Sequence, residues 1–267
     1  MFKRFFPISS LLAKRQKFII TALLLSIGLL AIQLTNITWR YQAIAGLAFL
    51  TYWLSAWSLR PGLNGIEWLT TLVLPVFFTA GVGLFYFLLP VAWSTRLPVA
   101  IVYGLGMYVL LLTENIFSVA AIRTIQLLRA AHAVGFLLTL AVGFFLYDTV
   151  FSFRFDFWLN FLLVGLISCP LVLANLWSVN LEEKLNRKLW LFSLSFALIL
   201  AEMALAFSFW PVSVVSGSLF LVTVMYILLG LGQLEFSEKL FKRSIYEYIG
   251  VGITVLLIMV MTTRWGG

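Results

Sequence analysis

Nine apolar stretches follow one another almost from end to end of this chain. A helix needs about 20 apolar residues to cross about 30 Å of hydrocarbon, and these stretches are of that order. Of the 267 residues, 63% are hydrophobic and 10% are charged. A soluble domain carries about 25% charged residues, so a chain this poor in charge needs lipid as its solvent. The sequence therefore predicts an all-α, polytopic transmembrane helical bundle.

The stretches divide the chain into a short basic segment and one transmembrane domain. Residues 1–17 are basic and partly amphipathic, and residues 18–267 form the helical domain. The basic segment either orients the first span or lies along an anionic membrane surface. We place the nine spans at Phe18–Thr35, Tyr41–Leu59, Glu67–Leu89, Pro98–Thr113, Ala133–Val150, Phe157–Val179, Leu189–Phe209, Val212–Leu231 and Tyr248–Thr263.

The distribution of basic residues predicts which end of each span faces the cytoplasm. Lysine and arginine prefer the cytoplasmic side of a membrane. With the N-terminus inside, fourteen of the 18 basic residues fall on inner segments, and the other four fall on outer ones. We therefore expect a cytoplasmic N-terminus, an external C-terminus and a cell membrane of the bacterial inner-membrane type. The net charge of +8 follows from this topology and does not indicate nucleic-acid binding.

A polar stretch, Thr113–His132, interrupts the apolar pattern between the fourth and fifth spans. On a helical wheel most of its polar residues fall in one half, with Thr124 in the other, which predicts an amphipathic helix over about residues 114–131 on the inner face. Arg123, Gln126 and Arg129 follow one another at intervals of one helical turn, so neighbouring pairs can reach one anion. They are candidates for binding an anionic lipid headgroup or an anionic substrate. The alternative is a connector whose arginines face headgroups or water.

Glu114 and His132 lie at the two ends of this stretch. We expect them to lie close together at the inner face, because the fourth and fifth spans would meet there. Such a pair is either a local proton relay or an ion pair at the headgroups.

Glu202 is the most distinctive single residue, because it lies inside the seventh apolar stretch. A charged side chain at the centre of a membrane helix costs at least about 2.5–3.5 kcal/mol. Glu202 is therefore a candidate proton or cation site, or else a neutral carboxylic acid that is hydrogen-bonded between helices. Ser195 lies on the same helical face as Glu202. In the sixth span, Ser168 lies at a similar depth, and Asn175 lies one heptad nearer the inside. We therefore expect that Glu202 can contact Ser168.

Several features bear on helix packing. Four spans contain Gly-x-Gly, which allows close approach of helices or local unwinding at a substrate site. Pro75 and Pro170 lie inside their spans and are expected to kink them. Aromatic residues near the proposed span ends, Tyr147 and Trp177 among them, fit the aromatic belts of a membrane interface.

Catalytic and metal-binding signatures do not stand out. One histidine and one cysteine do not form the usual zinc clusters, and we expect neither a metal nor a cofactor. The leading hypothesis is transport or translocation of a small solute or lipid-like molecule, with Glu202 as an intramembrane proton site. A non-catalytic membrane scaffold or subunit of a larger complex is the second hypothesis, and a lipid-modifying enzyme at the inner polar stretch is the third. The expected partners are the bilayer, anionic headgroups at the inner face and other membrane subunits.

Overall fold

Long helices make up the protein. The computed structural model describes residues 13–263, apart from 36, 61, 64, 91, 121–126, 183 and 185. Most of the basic segment 1–17 therefore lies outside the described residues. Within them there is no strand, and the helices are α1 (Lys14–Gln33), α2 (Arg40–Leu59), α3 (Glu67–Tyr86), α4 (Trp93–Ala120), α5 (Leu128–Ser152), α6 (Phe157–Asn180), α7 (Arg187–Phe207), α8 (Val214–Phe236) and α9 (Lys242–Thr262).

The predicted helical bundle is confirmed. Eight of these helices are long and apolar enough to cross a membrane, and α2 is the exception. Helix α2 has 20 residues, and it contains Arg40, Gln42 and several hydroxyl and indole side chains. Its Thr51, Ser55 and Ser58 side chains are fully buried, so they face other helices and not lipid. Buried polar groups of this kind lower the hydropathy of a helix without exposing polarity to the bilayer.

Helices α1 and α4 run antiparallel, and so do α7 and α8. Lys14 near the start of α1 donates to Asn115 near the end of α4, whereas Ser26 near the end of α1 donates to the Ala100 carbonyl near the start of α4. Lys188 at the start of α7 likewise pairs with Glu235 at the end of α8. We call the end that holds the turns from α5 to α6 and from α7 to α8 the outer end, and the opposite end the inner end, after the predicted orientation.

The structure differs from the prediction between the fourth and fifth spans. The predicted inner-face helix over residues 114–131 is divided, because residues up to Ala120 continue α4 and residues from Leu128 begin α5. Glu114 and Ser118 are buried, at 4% and 0% exposure. The polar half of the helical wheel therefore packs partly inside the bundle. An extension of α4 makes that helix about 42 Å long, which exceeds the hydrocarbon thickness.

Glycine and proline positions agree with tight helix packing. A Cβ atom at Gly83 of α3 would meet the Ile44 side chain of α2, and one at Gly230 of α8 would meet the Tyr248 ring of α9. Pro75 and Pro170 both lie inside helices, as expected. Helix α9 is the most peripheral, since Met259 is its only residue that is buried in the described range.

Candidate functional site

A large cavity lies at the outer end, where α5 passes into α6 and α7 passes into α8. Its volume is about 740 Å³, within the range of about 300–1,000 Å³ that is usual for small-molecule sites. Phenylalanines supply most of the apolar wall, and polar side chains come from the two turns. We call this space the outer cavity; it is lined by Phe151, Arg154, Phe155, Asp156, Phe157, Asn160, Phe207, Ser208, Phe209, Val212, Ser213, Val214 and Gly217.

Asn160 connects two helices in the wall of the outer cavity. The Asn160 amide nitrogen donates to the Phe155 carbonyl at 3.2 Å and to the Ser208 hydroxyl at 3.0 Å, which ties the start of α6 to the end of α7. Asn160 is 4% exposed, and its amide oxygen has no hydrogen-bond partner in the part of the chain that is described. A buried acceptor without a partner costs free energy, and because surrounding atoms cover this oxygen, a ligand reaches it only when the cavity wall moves.

Charges of both signs flank the outer cavity. Arg154 and Asp156 are exposed in the turn between α5 and α6. Arg154 has φ 51°, a left-handed conformation that lets the chain reverse within a few residues. The outer cavity therefore offers an aromatic wall, one cation and one anion to the same guest.

A first polar layer lies between the outer cavity and the middle of the bundle. The hydroxyls of Tyr147 on α5 and Ser168 on α6 are hydrogen-bonded at 2.7 Å, and Tyr147 also contacts the Met225 sulfur on α8 at 3.6 Å. All three residues are fully buried. The prediction of an interfacial Tyr147 was wrong, since its ring and hydroxyl lie inside the protein.

A second polar layer joins the same three helices nearer the inner end. The Gln233 amide of α8 donates to the Asn175 side-chain oxygen of α6 at 2.8 Å. The Asn175 amide nitrogen donates to the Thr139 hydroxyl of α5 at 3.2 Å, and Thr139 in turn donates to the Gly135 carbonyl. Ser168 and Asn175 are seven residues apart, so the two layers are about 10 Å apart along α6. We call Tyr147, Ser168, Thr139, Asn175 and Gln233 the polar column.

The polar column ends at a small internal cavity of about 10 Å³, room for roughly one water molecule. We call it the inner cavity. Glu114 on α4 lines it together with Thr139 and Asn175. His132 lies beside it, stacked on the Phe117 ring with the centroids 5.5 Å apart. The His132 Nε2 atom donates to the Ser178 carbonyl at 2.8 Å, because a carbonyl can only accept.

The structure divides the residues that were predicted around Glu202. Ser168 and Asn175 are buried in the polar column, whereas Glu202 and Ser195 are exposed on the surface of α7. The expected contact between Glu202 and Ser168 is replaced by the hydrogen bond from Ser168 to Tyr147. The reason is that small residues of α7 face α6, where a Cβ atom at Gly165 would lie 3.3 Å from the Ala201 methyl. Glu202 is the next residue, so it points about 100° away from that contact.

The other predicted candidates lie at the inner end. Glu114 and His132 are both near the inner cavity, but His132 bonds to the Ser178 carbonyl, and no hydrogen bond between Glu114 and His132 is seen in the described residues. Arg129 is exposed in the first turn of α5. Arg123 and Gln126 lie outside the described residues, so the proposed headgroup cluster stays a prediction.

Sequence reasoning missed Tyr147, Thr139, Gln233 and Asn160. The signal that was available is the spacing on α6, where Asn160, Ser168 and Asn175 follow one another at intervals of eight and seven residues. Such spacing keeps polar groups on one helical face. No group of three or more potential metal ligands occurs among the described residues.

A polar cluster of similar chemistry lies in the N-terminal part of the bundle. The Thr79 hydroxyl of α3 is 3.0 Å from the Thr51 hydroxyl of α2 and 2.8 Å from the Tyr103 hydroxyl of α4. All three are buried, and the Phe78 ring is stacked on Tyr103. We call Thr51, Thr79 and Tyr103 the Tyr103 cluster.

Comparison with known proteins gives one match. A family model described as "Protein of unknown function (DUF5656)" matches residues 19–262, which run from α1 to the last residue of α9. No curated protein and no solved structure matches the chain.

Proposed function

We propose, for a chain that belongs to the DUF5656 family of proteins of unknown function, that this multi-pass membrane protein translocates a lipid-like amphiphile. The guest enters the outer cavity and passes between α5, α6 and α8 toward the inner end. The observation that carries the proposal is the stacking of two buried polar layers on the same three helices between the outer and the inner cavity.

The composition of the outer cavity favours an amphiphile with a zwitterionic or polar headgroup. Phenylalanine rings provide an apolar surface, and Arg154 and Asp156 offer both charges to a headgroup. The buried amide oxygen of Asn160, which has no partner among the described residues, accepts a hydrogen bond from a hydroxyl or ammonium group when the wall opens. A guest without an apolar part gains nothing from the aromatic wall, which argues against a simple inorganic ion.

The polar column supplies hydrogen bonds along the route. Polar side chains inside a membrane protein mark substrate pathways as well as helix contacts. Leu171 and Val172, which lie between the two layers on α6, are fully buried, so the route is closed in this conformation. Passage therefore requires α5, α6 and α8 to separate, as in transporters that alternate between two arrangements of their helices.

Flipping of a labelled lipid tests the proposal. The full chain is reconstituted into phosphatidylcholine vesicles that contain NBD-labelled phosphatidylcholine, and dithionite is added outside. Dithionite bleaches only outer-leaflet label, so flipping increases the fraction that is bleached. We expect wild-type vesicles to lose the protected fraction faster than protein-free vesicles do.

Two glycine variants make the assay specific to the outer cavity. Gly217→Leu adds a side chain where the nearest atoms, on Val212 and Phe151, lie 3.7 and 3.9 Å from a Cβ atom, so the rest of the leucine fills the cavity. Gly250→Leu on α9 adds the same side chain where nothing lies within 4 Å. The proposal requires that Gly217→Leu slow bleaching and that Gly250→Leu leave it unchanged. Equal rates in wild-type and protein-free vesicles contradict it.

A membrane-subunit role is the second candidate, and the position of Glu202 favours it. Glu202 lies on an exposed stripe of α7 with Leu191, Ser195, Leu198 and Ile199. In lipid a carboxylate on such a face is costly, and a helix of another subunit that carries a basic or hydrogen-bonding side chain removes that cost. The earlier hypothesis of Glu202 as a proton site stays a prediction, although Glu202 lines neither of the two cavities.

Purification from native membranes in a mild detergent tests the subunit role. We expect a stoichiometric partner with the wild-type chain and its loss with Glu202→Leu. Leu198→Ala, on the same stripe, keeps the carboxylate and is the matched control. Recovery of the wild-type chain alone contradicts this second role.

The sidedness and lipid contacts are also inferred. We infer a bacterial-type inner membrane with the N-terminus in the cytoplasm, from the fourteen basic residues on inner segments. Arg129, exposed at the inner start of α5, supports contact with anionic headgroups there.

A further inference from the structure

A long apolar groove lies between α1 and α4, on the side of the bundle away from the polar column. Its volume is about 500 Å³. The side chains along it are mostly aliphatic, and Gly104 lets α4 approach α1 closely, since a Cβ atom there would lie 3.3 Å from the Ser26 Oγ atom. The groove is lined by Ile19, Ala22, Leu23, Ser26, Ala100, Ile101, Gly104, Leu105 and Tyr108.

Two hydrogen bonds hold α1 and α4 together, one within the groove and one nearer the inner end. The Ser26 hydroxyl donates to the Ala100 carbonyl at 2.7 Å, and the Lys14 amine donates to the Asn115 side-chain oxygen at 2.7 Å. Ser26 and Lys14 are twelve residues apart, which separates the two contacts by about 18 Å along α1. The groove occupies the part of this interval that lies toward Ser26.

The inner mouth of the groove is basic. Arg15 is exposed and precedes Ile19 by four residues and Leu23 by eight, so it lies on the same face of α1 as the groove. Lys14 is the preceding residue of α1, and its amine donates to the Asn115 side chain of α4 at the same level. A phosphate at this level meets two cations, while the apolar tail of the same molecule reaches into the groove.

We propose that this groove binds one anionic phospholipid of the inner leaflet, with an acyl chain between α1 and α4 and the phosphate at Lys14 and Arg15. An acyl chain in the apolar groove gains dispersion contacts with its aliphatic walls. Basic residues near a membrane surface favour anionic headgroups over zwitterionic ones. The site is independent of the outer cavity and of the translocation role.

Native mass spectrometry of the purified full chain tests the site. The chain is released from micelles that contain equal amounts of phosphatidylglycerol and phosphatidylcholine. We expect one retained phosphatidylglycerol. Arg15→Gln should weaken its retention about fivefold, the loss that corresponds to one basic residue at an anionic surface. Arg187→Gln, which removes an exposed cation at the inner start of α7, should leave retention unchanged.

A second pair of variants tests the groove itself. Ile101 is 59% exposed in the groove, and Leu166 is 63% exposed on α6 away from it. Ile101→Trp should fill the groove and release the lipid, whereas Leu166→Trp should not. Neither position is buried, so both variants are expected to fold, and their elution as a single species checks this. Equal retention in Arg15→Gln and Arg187→Gln, equal retention of both lipids, or a lipid-free dimer overturns the proposal.

Discussion

Two buried tyrosines make similar hydrogen bonds in this protein, but the wider regions of the bundle around them differ. Tyr103 and Tyr147 are at most 1% exposed, and each hydroxyl is hydrogen-bonded to a hydroxyl on another helix. The Tyr103 cluster is one layer that joins α2, α3 and α4. Tyr147 belongs to the first of two layers, and those layers lie between two cavities.

This difference distinguishes a polar cluster that only holds helices together from one that lies along the proposed translocation route. Each interhelical hydrogen bond stabilises helix contacts by about 0.6 kcal/mol on average, and the two bonds of the Tyr103 cluster need no other explanation. The polar column repeats such a layer and adds Glu114 at its inner end. Variants that are matched between the two regions can therefore separate a loss of stability from a loss of translocation.

Asn175→Leu should have the largest effect on lipid flipping. It removes two hydrogen bonds and leaves Gln233 and Thr139 without their partner at the second layer. We expect flipping to fall about tenfold, the factor that corresponds to about 1.4 kcal/mol. Thr51→Val in the Tyr103 cluster should leave it unchanged. The two variants are compared in the dithionite assay, and a similar loss in both removes the distinction between the regions.

The substitution Tyr147→Phe should have a smaller effect on flipping. Tyr103→Phe is its matched control, because it is the same substitution in the other region. Each removes one hydroxyl from a buried hydrogen bond, so each should lower the free energy of unfolding by about 0.6 kcal/mol. Unfolding in sodium dodecyl sulfate, followed by tryptophan fluorescence, measures this. Flipping should fall about threefold in Tyr147→Phe only. A threefold loss in Tyr103→Phe as well shows that flipping follows stability and not the route.

Glu202→Gln should have the smallest effect on flipping. Glu202 lies on the exposed face of α7 and lines neither cavity. We therefore expect the flipping rate to change by less than about twofold, as for sites without shared contacts. The measurement is the same bleaching rate at equal protein content. Complete loss of flipping would instead support the role as an intramembrane proton site that the sequence predicts for Glu202.

Much of the helical architecture was predictable, because the length and polarity of each stretch determine whether it can cross lipid. The predicted span Phe157–Val179 and the helix Phe157–Asn180 agree almost residue for residue. The stretch Thr113–His132 was not predictable in this way. A helical wheel cannot distinguish a polar face that meets water from one that packs on neighbouring helices, as Glu114 and Ser118 do.

The candidate site was predictable only in part. Ser168 and Asn175 were identified from depth and heptad spacing, and both lie in the polar column. Glu202 was predicted to face the interior because its charge is costly in lipid. Ala197, Ala201 and Ala204 are buried on α7, and small residues mark the face that packs closely. The outer cavity depends on how two turns meet, which local sequence does not encode.

Access of a water-soluble reagent to the polar column tests the central claim most directly. In a Cys169→Ala background, Ser168→Cys and Thr79→Cys put one thiol in the polar column and one in the Tyr103 cluster. A membrane-impermeant methanethiosulfonate is added to the outside of reconstituted vesicles. We predict that the thiol at 168 is modified, because α5, α6 and α8 separate during translocation, and that the thiol at 79 is protected. Equal protection of both thiols contradicts the account.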